Sequence, residues 1–292
     1  MTGGTGREAA TAVAVPPGAS ETLTGPGIVE LLRDAAAAAP ERVYCEWGDE
    51  EITFADLDER SDDVARGLAA LGLRAGDVVC TMLKNHPDHV LVFFALLKLG
   101  VVWVPLNTHL RGASLTHIWT ETRCSALVYD GECDAQIEPL FESHRPWVRV
   151  RRRSGGPPAV AARAFDDVVA LGRKEPALAP VAESSDRTIC ISYTSGTTGR
   201  PKGVLLTDRM LRTCAVGVGV VTQPQPGDVF LVWEPLHHIG GSQMLLVPLL
   251  APVRLVLVER FSASRFWPLA RARGVTHVHY LGGILQILLK QP

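Results

Sequence analysis

Between Ile189 and Val204 the chain runs from an apolar, β-branched segment into a loop built almost wholly of hydroxyl residues and glycine, then back into an apolar segment. Ile189, Ile191 and Tyr193 alternate with Cys190 and Ser192, which is the period of a strand, and Gly203-Val204-Leu205-Leu206 reads as a second one. Thr194, Ser195, Thr197 and Thr198 supply hydroxyl donors, Gly196 and Gly199 let backbone N–H groups converge, and Lys202 adds a positive charge. Converging donors around one cation suit a polyphosphate.

Two familiar phosphate loops are excluded. A Walker loop needs Gly-Lys-Ser/Thr opening a helix, whereas Pro201 precedes Lys202 here and a strand follows. A dinucleotide fingerprint needs three spaced glycines after a strand, and Gly217 and Gly219 lie inside a predicted helix with no third. The run from Tyr193 to Gly203, Tyr-Thr-Ser-Gly-Thr-Thr-Gly-Arg-Pro-Lys-Gly, resembles instead the signature of the adenylate-forming (AMP-binding) superfamily of acyl-CoA synthetases and related enzymes. Gly100 to Asn107 and Pro235 to Gly241 resemble further core motifs of that superfamily. Leu106 to Gly112 and Phe261 to Trp267 look most like its crotonobetaine/carnitine-CoA ligase group.

With 292 residues, 47% of them hydrophobic, the chain can bury a large core. A formal net charge of −2 gives no electrostatic case for nucleic acid or a membrane surface as the main partner. The six cysteines are scattered through apolar runs without a Cys-x-x-Cys pair, which predicts reduced core thiols and a cytoplasmic location. The apolar tracts 90–106 and 245–258 are interrupted by Lys98 and Gly100, and by Pro248, Pro252 and Arg254, so no membrane span is expected.

Strand and helix patterns alternate along most of the chain, which predicts parallel sheets with crossover helices. The fold class is α/β, matching what the resemblance implies, the N-terminal lobes of an adenylate-forming enzyme. Expected boundaries are a disordered N-terminus at 1–26, a first lobe at 27–172, a Pro/Ala/Glu-rich linker at 173–187 and an incomplete second lobe at 188–292. Thr53 with Asp56 predicts a capping box, helix 87–99 is expected to expose Lys98, and Arg149, Arg151, Arg152 and Arg153 read as a solvated strand end.

The resemblance implies a reaction in which a small carboxylic acid attacks the α-phosphate of ATP, carried with Mg2+, and coenzyme A then captures the acyl-adenylate. Thr194, Ser195, Gly196, Thr197, Thr198 and Gly199 would hold the departing phosphates. Lys202 would neutralise their charge or support the loop, and His238 would face the carboxylate and adenylate. No metal ligands are expected among the histidines. His237 and His238 are adjacent and diverge on a strand, and the pairs His86/His89 and His277/His279 have no third ligand nearby in sequence, so they read as capping or packing residues.

The same resemblance implies adenine, ribose and catalytic-lysine segments, and a mobile C-terminal domain, that this sequence does not contain. Three or four charge-assisted hydrogen bonds at about 1.5 to 3 kcal/mol each barely offset an association cost of roughly 4 to 15 kcal/mol, which predicts weak ATP binding and no ligase activity by this chain alone. The rival expectation is a non-catalytic acyl- or nucleotide-binding module derived from the same family; a hydrolytic P-loop NTPase is disfavoured by the missing Gly-Lys-Ser/Thr. The identity of the acid and the oligomeric state are left open.

Overall fold

A computed structural model describes residues 25–152, 161–182, 184–194 and 199–290. Nearly all of the expected disordered terminus, Arg153, and the loop residues Ser195, Gly196, Thr197 and Thr198 lie outside the described residues.

Helix α1 (Ile28–Ala38) stops before Pro40, and strands β1 (Val43–Trp47) and β2 (Glu50–Thr53) pair antiparallel around Gly48, whose φ of +59° suits glycine. The capping box forms as expected. Thr53 Oγ1 accepts from Asp56 N at 3.1 Å and Asp56 Oδ2 accepts from Thr53 N at 3.0 Å, opening helix α2 (Phe54–Ala70). Strand β3 (Val78–Met82), helix α3 (Pro87–Leu99), strand β4 (Val102–Pro105), helix α4 (Gly112–Thr122), strand β5 (Ala126–Asp130) and strand β6 (Val148–Arg152) keep the strand–helix rhythm. A short strand β7 (Arg163–Ala164) and helix α5 (Phe165–Gly172) follow. The remainder comprises β8 (Thr188–Tyr193), β9 (Gly203–Thr207), α6 (Asp208–Thr222), β10 (Val229–Val232), β11 (Arg254–Leu257), α7 (Ala263–Arg273), β12 (His277–Val278) and α8 (Gly282–Leu288).

The strands form two sheets. One has the order β7-β6-β5-β3-β4-β8-β9 and is parallel except for the β8/β9 hairpin; the other has the order β12-β10-β11-β1-β2 and is parallel except for β1/β2. This is the mainly parallel α/β architecture that the alternating pattern predicts. Pairing crosses the expected boundary at 173–187, because β8 joins β4 and β11 joins β1.

Alternation along each strand explains the layering. Val79, Ala126, Val128, Phe230 and Leu255 face a core shared with α1, α2, α3 and α6, while Cys80, Leu127 and Tyr129 face α4, and Leu231 and Val256 face α7 and α8. Five layers result: helix, sheet, helices, sheet, helices. Helix α3 is apolar on every side because it lies in the middle layer, with Val90 to Leu97 all buried.

Two expectations are corrected. Lys98 is buried, not exposed, since its ammonium meets Asp58 at 2.6 Å and Asp62 at 2.7 Å on α2. Arg151 and Arg152 are likewise buried rather than solvated, paired with Asp134 and Asp130 at 2.6 Å each. In both places a charge on one element is matched by carboxylates far away in sequence, so a local reading sees only a solvated cation. Burial of a charge is sustained only by such pairing.

Candidate active site

Parallel strands bring the carboxyl ends of both sheets to one side, where open α/β sheets place their ligand sites. From the seven-stranded sheet comes the loop after β8 that the sequence predicts to bind phosphate, called the phosphate loop below. Its mouth is closed by Thr194 N donating to Lys202 O at 3.0 Å, and β9 returns with Gly203 opposite Tyr193. A Cβ on Gly203 would lie 2.8 Å from Ile191 Cγ2, so glycine permits the close return. On α4, His117 Nε2 donates to Pro201 O at 3.1 Å and Glu121 accepts from the Tyr193 hydroxyl at 3.2 Å, bracing the base of the loop. Burial and the Glu121 carboxylate push the Tyr193 phenol upward, so it stays a neutral donor. Lys202 is exposed and no hydrogen bond or ion pair holds its ammonium among the described residues.

Opposite the loop stands a knot that the sequence did not reveal. Asn85, just past β3, is 2% exposed and spends its whole amide on the other sheet. Its Nδ2 donates to Glu234 O at 2.8 Å and Val258 O at 3.2 Å, past β10 and β11, while its Oδ1 accepts from Leu236 N at 2.8 Å. One side chain thereby ties its own loop to two others. The available signal was position alone: a polar residue at the carboxyl end of an apolar strand.

The Leu236 loop continues into His238, which is exposed and caps a short helix, Ile239–Ser242. Gly240 N donates to His238 Nδ1 at 3.2 Å, so the ring's proton sits on Nε2, pointing away from that contact. Gly240 and Gly241 are required by space. A Cβ on Gly240 would fall 2.3 Å from the Glu234 carboxylate, and one on Gly241 would fall 2.3 Å from Pro235 O. His237 lies behind, pushed down to about 4 by burial and then by His238 and His109; it is neutral at pH 7. His89 on α3 is deeper still, pushed down to about 3 by burial and by His237 and Arg152. Its Nδ1 donates to Lys84 O at 3.3 Å and its ring packs 6.2 Å from that of Trp103, the packing role expected of it. His86 caps α3, accepting from Asp88 N at 3.1 Å, and His277 stacks on Phe230 with 4.4 Å between centroids.

Sequence reasoning also missed a pair. Glu234, buried at the end of β10, accepts from His279 Nδ1 at 2.6 Å, while Trp233 Nε1 donates to His279 O at 2.8 Å. Of the expected site residues described, Thr194, Gly199 and Lys202 belong to the loop of one sheet and His238 to the loop of the other; no hydrogen bond joins the two groups.

Residues 32–292 match the AMP-binding enzyme family. The chain is 31% identical over 267 residues to the medium/long-chain-fatty-acid–CoA ligase FadD6 of Mycobacterium tuberculosis, a match covering 90% of this chain and 43% of that protein. It therefore spans about two-fifths of that relative's length. Among solved structures, it resembles the o-succinylbenzoate CoA synthetase MenE of Bacillus subtilis in complex with its acyl-adenylate intermediate, with a TM-score of 0.75 and 27% identity over 89% of this chain and 63% of the other. The long-chain-fatty-acid-CoA ligase FadD1 of Archaeoglobus fulgidus shares the fold, with a TM-score of 0.81 at 21% identity over 90% of this chain and 53% of the other. The chain is a member of the AMP-binding enzyme family, and the relatives it matches include acyl-CoA ligases.

Proposed function

We propose that this chain is the phosphate-loop part of an ATP-dependent acyl-CoA ligase. In the first step a carboxylate oxygen attacks the α-phosphorus of Mg-ATP, the bond to the β-phosphate breaks and pyrophosphate leaves. In the second the thiolate of coenzyme A attacks the acyl carbon and AMP departs. ATP with its Mg2+, coenzyme A and a small carboxylic acid are the substrates of this reading.

The observation that carries it is the free face of the two loops. Lys202 is exposed and His238 presents its Nε2–H outward, each at the carboxyl end of a parallel sheet. Lys202, with Thr194 to Gly199, takes the β- and γ-phosphates, where positive charge stabilises the departing anion. His238 donates a hydrogen bond to the carboxylate or to the adenylate formed from it. His237, neutral at pH 7, walls the pocket without adding charge. The described cysteines are all free, which supports a reducing compartment such as the cytoplasm, and no helix among the described residues is long and apolar enough to cross a membrane.

The test is carboxylate-dependent exchange of labelled pyrophosphate into ATP, run on this chain and on any longer form of the protein, with crotonobetaine, carnitine, fatty acids and aryl acids. Exchange that is lost in Lys202→Ala and His238→Ala supports the reading and names the acid. Silence with every acid in every form overturns it in favour of a non-catalytic module. Exchange by the 292-residue chain alone would contradict the weak ATP binding expected of it.

A further inference from the structure

The candidate active site lies at the carboxyl ends of the strands, and at the amino ends of the seven-stranded sheet one tryptophan is left in the open. Trp147 stands immediately before β6 and is 59% exposed. A Cβ on Gly72 would stand 3.9 Å from its Nε1, so the indole lies over the turn that follows α2. No hydrogen bond holds that Nε1 among the described residues. The ring is one wall of a cleft of about 420 Å³, with Leu71, Ala161, Ala162, Arg149 and Arg163 among the others.

Cations gather along the same edge. Arg74, Arg123, Arg145, Arg149 and Arg163 stand at the amino ends of β3, β5, β6 and β7, four strands that neighbour one another in the sheet. At about 4.8 Å between strands, the row is roughly 15 Å long. Arg145 and Arg149 share the Phe141 ring, at 5.9 and 6.0 Å from its centroid. Arg149 donates to Ala161 O at 2.8 Å and to Pro146 O at 2.7 Å, and Arg74 donates to Ala69 O and Leu73 O at 2.7 Å each. Carbonyls fix these two forks and leave their charge unanswered. Asp77, the carboxylate in their midst, is taken by the Ser125 hydroxyl at 3.0 Å and by Arg74 N at 2.7 Å. Glu142, Asp166 and Asp167 are nearby along the chain, and no ion pair joins any of them to the five arginines.

We propose that this edge is a docking surface for an acidic polypeptide segment that carries one apolar side chain. The apolar side chain enters the cleft against Trp147, and the carboxylates flanking it meet the arginine row. Charge complementarity carries the assignment. Planar guanidiniums bind carboxylates in a bidentate manner, and tryptophan and arginine are the residues that most often anchor protein interfaces. A flat bilayer does not reach into a cleft. Single-stranded nucleic acid stacks successive bases on several aromatics, whereas Trp147 is the one exposed aromatic at this edge among the described residues. The net charge of −2 conceals the row because it sums over every face of the chain. This surface lies at the opposite ends of the strands from the proposed reaction and does not depend on it.

The test is fluorescence anisotropy of a labelled peptide, Glu-Asp-Glu-Leu-Glu-Asp-Glu, titrated with the 292-residue chain at low and at physiological salt. Binding is expected at low salt and should weaken as salt screens the row. Trp147→Ala and Arg163→Glu should each weaken it about tenfold. Both side chains are exposed and make no hydrogen bond among the described residues, so both variants should keep the parent's thermal midpoint. Glycine in place of the peptide's leucine should cost about tenfold with the parent and little with Trp147→Ala, because the two changes remove one contact. Arg260→Glu makes the same change of charge at an exposed, unpaired arginine beyond β11 and should leave affinity within about twofold. Equal weakening by Arg163→Glu and Arg260→Glu, or no binding at low salt, overturns the surface. Affinity unchanged in Trp147→Ala would mean that this chain's own residues 153–160 fill the cleft, and overturns it as well. Tighter binding of oligouridylate or of phosphatidylglycerol vesicles, with the same dependence on Trp147, overturns the acidic-peptide assignment in favour of that partner.

Discussion

The phosphate loop and the histidine loop leave the carboxyl ends of strands in the two sheets, yet they are held in different ways. The phosphate loop is gripped at its base, by one backbone hydrogen bond across its mouth and by His117 and Glu121 beneath it, and its cation is exposed and unheld among the described residues. The histidine loop is tied along its length by Asn85, by the contact of Gly241 with Pro235 and by the Glu234–His279 pair. On the proposed reading, a loop for a flexible polyphosphate can supply donors from its own sequence, whereas a loop that orients a planar carboxylate needs its rings fixed from outside.

That contrast is sharpest at Asn85. Replacing it with alanine leaves Leu236 N, Glu234 O and Val258 O without their partner, at about 1 to 3 kcal/mol for each group that water cannot reach, so a loss of about 3 kcal/mol or more is expected. The check is the urea midpoint together with acid-dependent activity. Both should drop in Asn85→Ala, and Asn85→Asp should recover only the bond from Leu236 N. A stable variant would mean that the two sheets hold their edges without the knot. Gly241→Ala comes next. Its Cβ would meet backbone at 2.3 Å, so the short helix must shift, at about 3 kcal/mol, and His238 with it. The expected result is a lower thermal midpoint and a raised KM for the acid, with little change in the KM for ATP; an equal change in both would erase the distinction between the loops.

These two residues also show where sequence reading stops. The proposed phosphate loop stands out in the sequence because its chemistry is contiguous: hydroxyls, glycines and a lysine in one short run. Strands and helices were legible for the same reason, through periods of two and 3.6 and through local devices such as the Thr53–Asp56 box. Asn85 acts on residues about 150 positions away, and Arg152, Lys98 and His279 find their carboxylates 22, 40 and 45 positions away, so nothing beside them in the chain announces these partners. The helix Phe165–Gly172 was missed because its helical length is only eight residues and its reason for being there is remote: Gly172 lies against the Asp63 carbonyl of α2, where a Cβ would come within 1.8 Å.

On the phosphate side, Lys202→Ala should cost activity and not stability. Removing a cation aimed at a departing phosphate is expected to slow exchange about a hundredfold. Because the side chain is exposed and makes no ion pair among the described residues, the thermal midpoint should stay within a degree or so of the parent. A matching fall in stability would place Lys202 in loop support rather than in phosphate binding, and the two regions would then be more alike than their geometry suggests.

The smallest effect concerns protons. His89 and His237 are both held neutral beneath the histidine loop, mainly by burial, with values lowered from 6.5 to about 3 and about 4. A folded value below the unfolded one means that the unfolded chain binds the extra proton. Each ring's contribution to stability is therefore full above the unfolded value of 6.5 and is lost as pH falls toward about 4 for His237 and about 3 for His89. Between pH 7 and pH 5, one such ring removes about 2 kcal/mol. His89→Leu keeps the volume and removes one titration, so its urea stability should decline less over that interval than the parent's by about that amount, while carboxylate titrations common to both cancel in the difference. Parallel declines would mean that protons reach His89 in the folded chain. The floor beneath the histidine loop would then be as open as the mouth of the phosphate loop, and orientation of His238 by a dry, packed support would lose its physical basis.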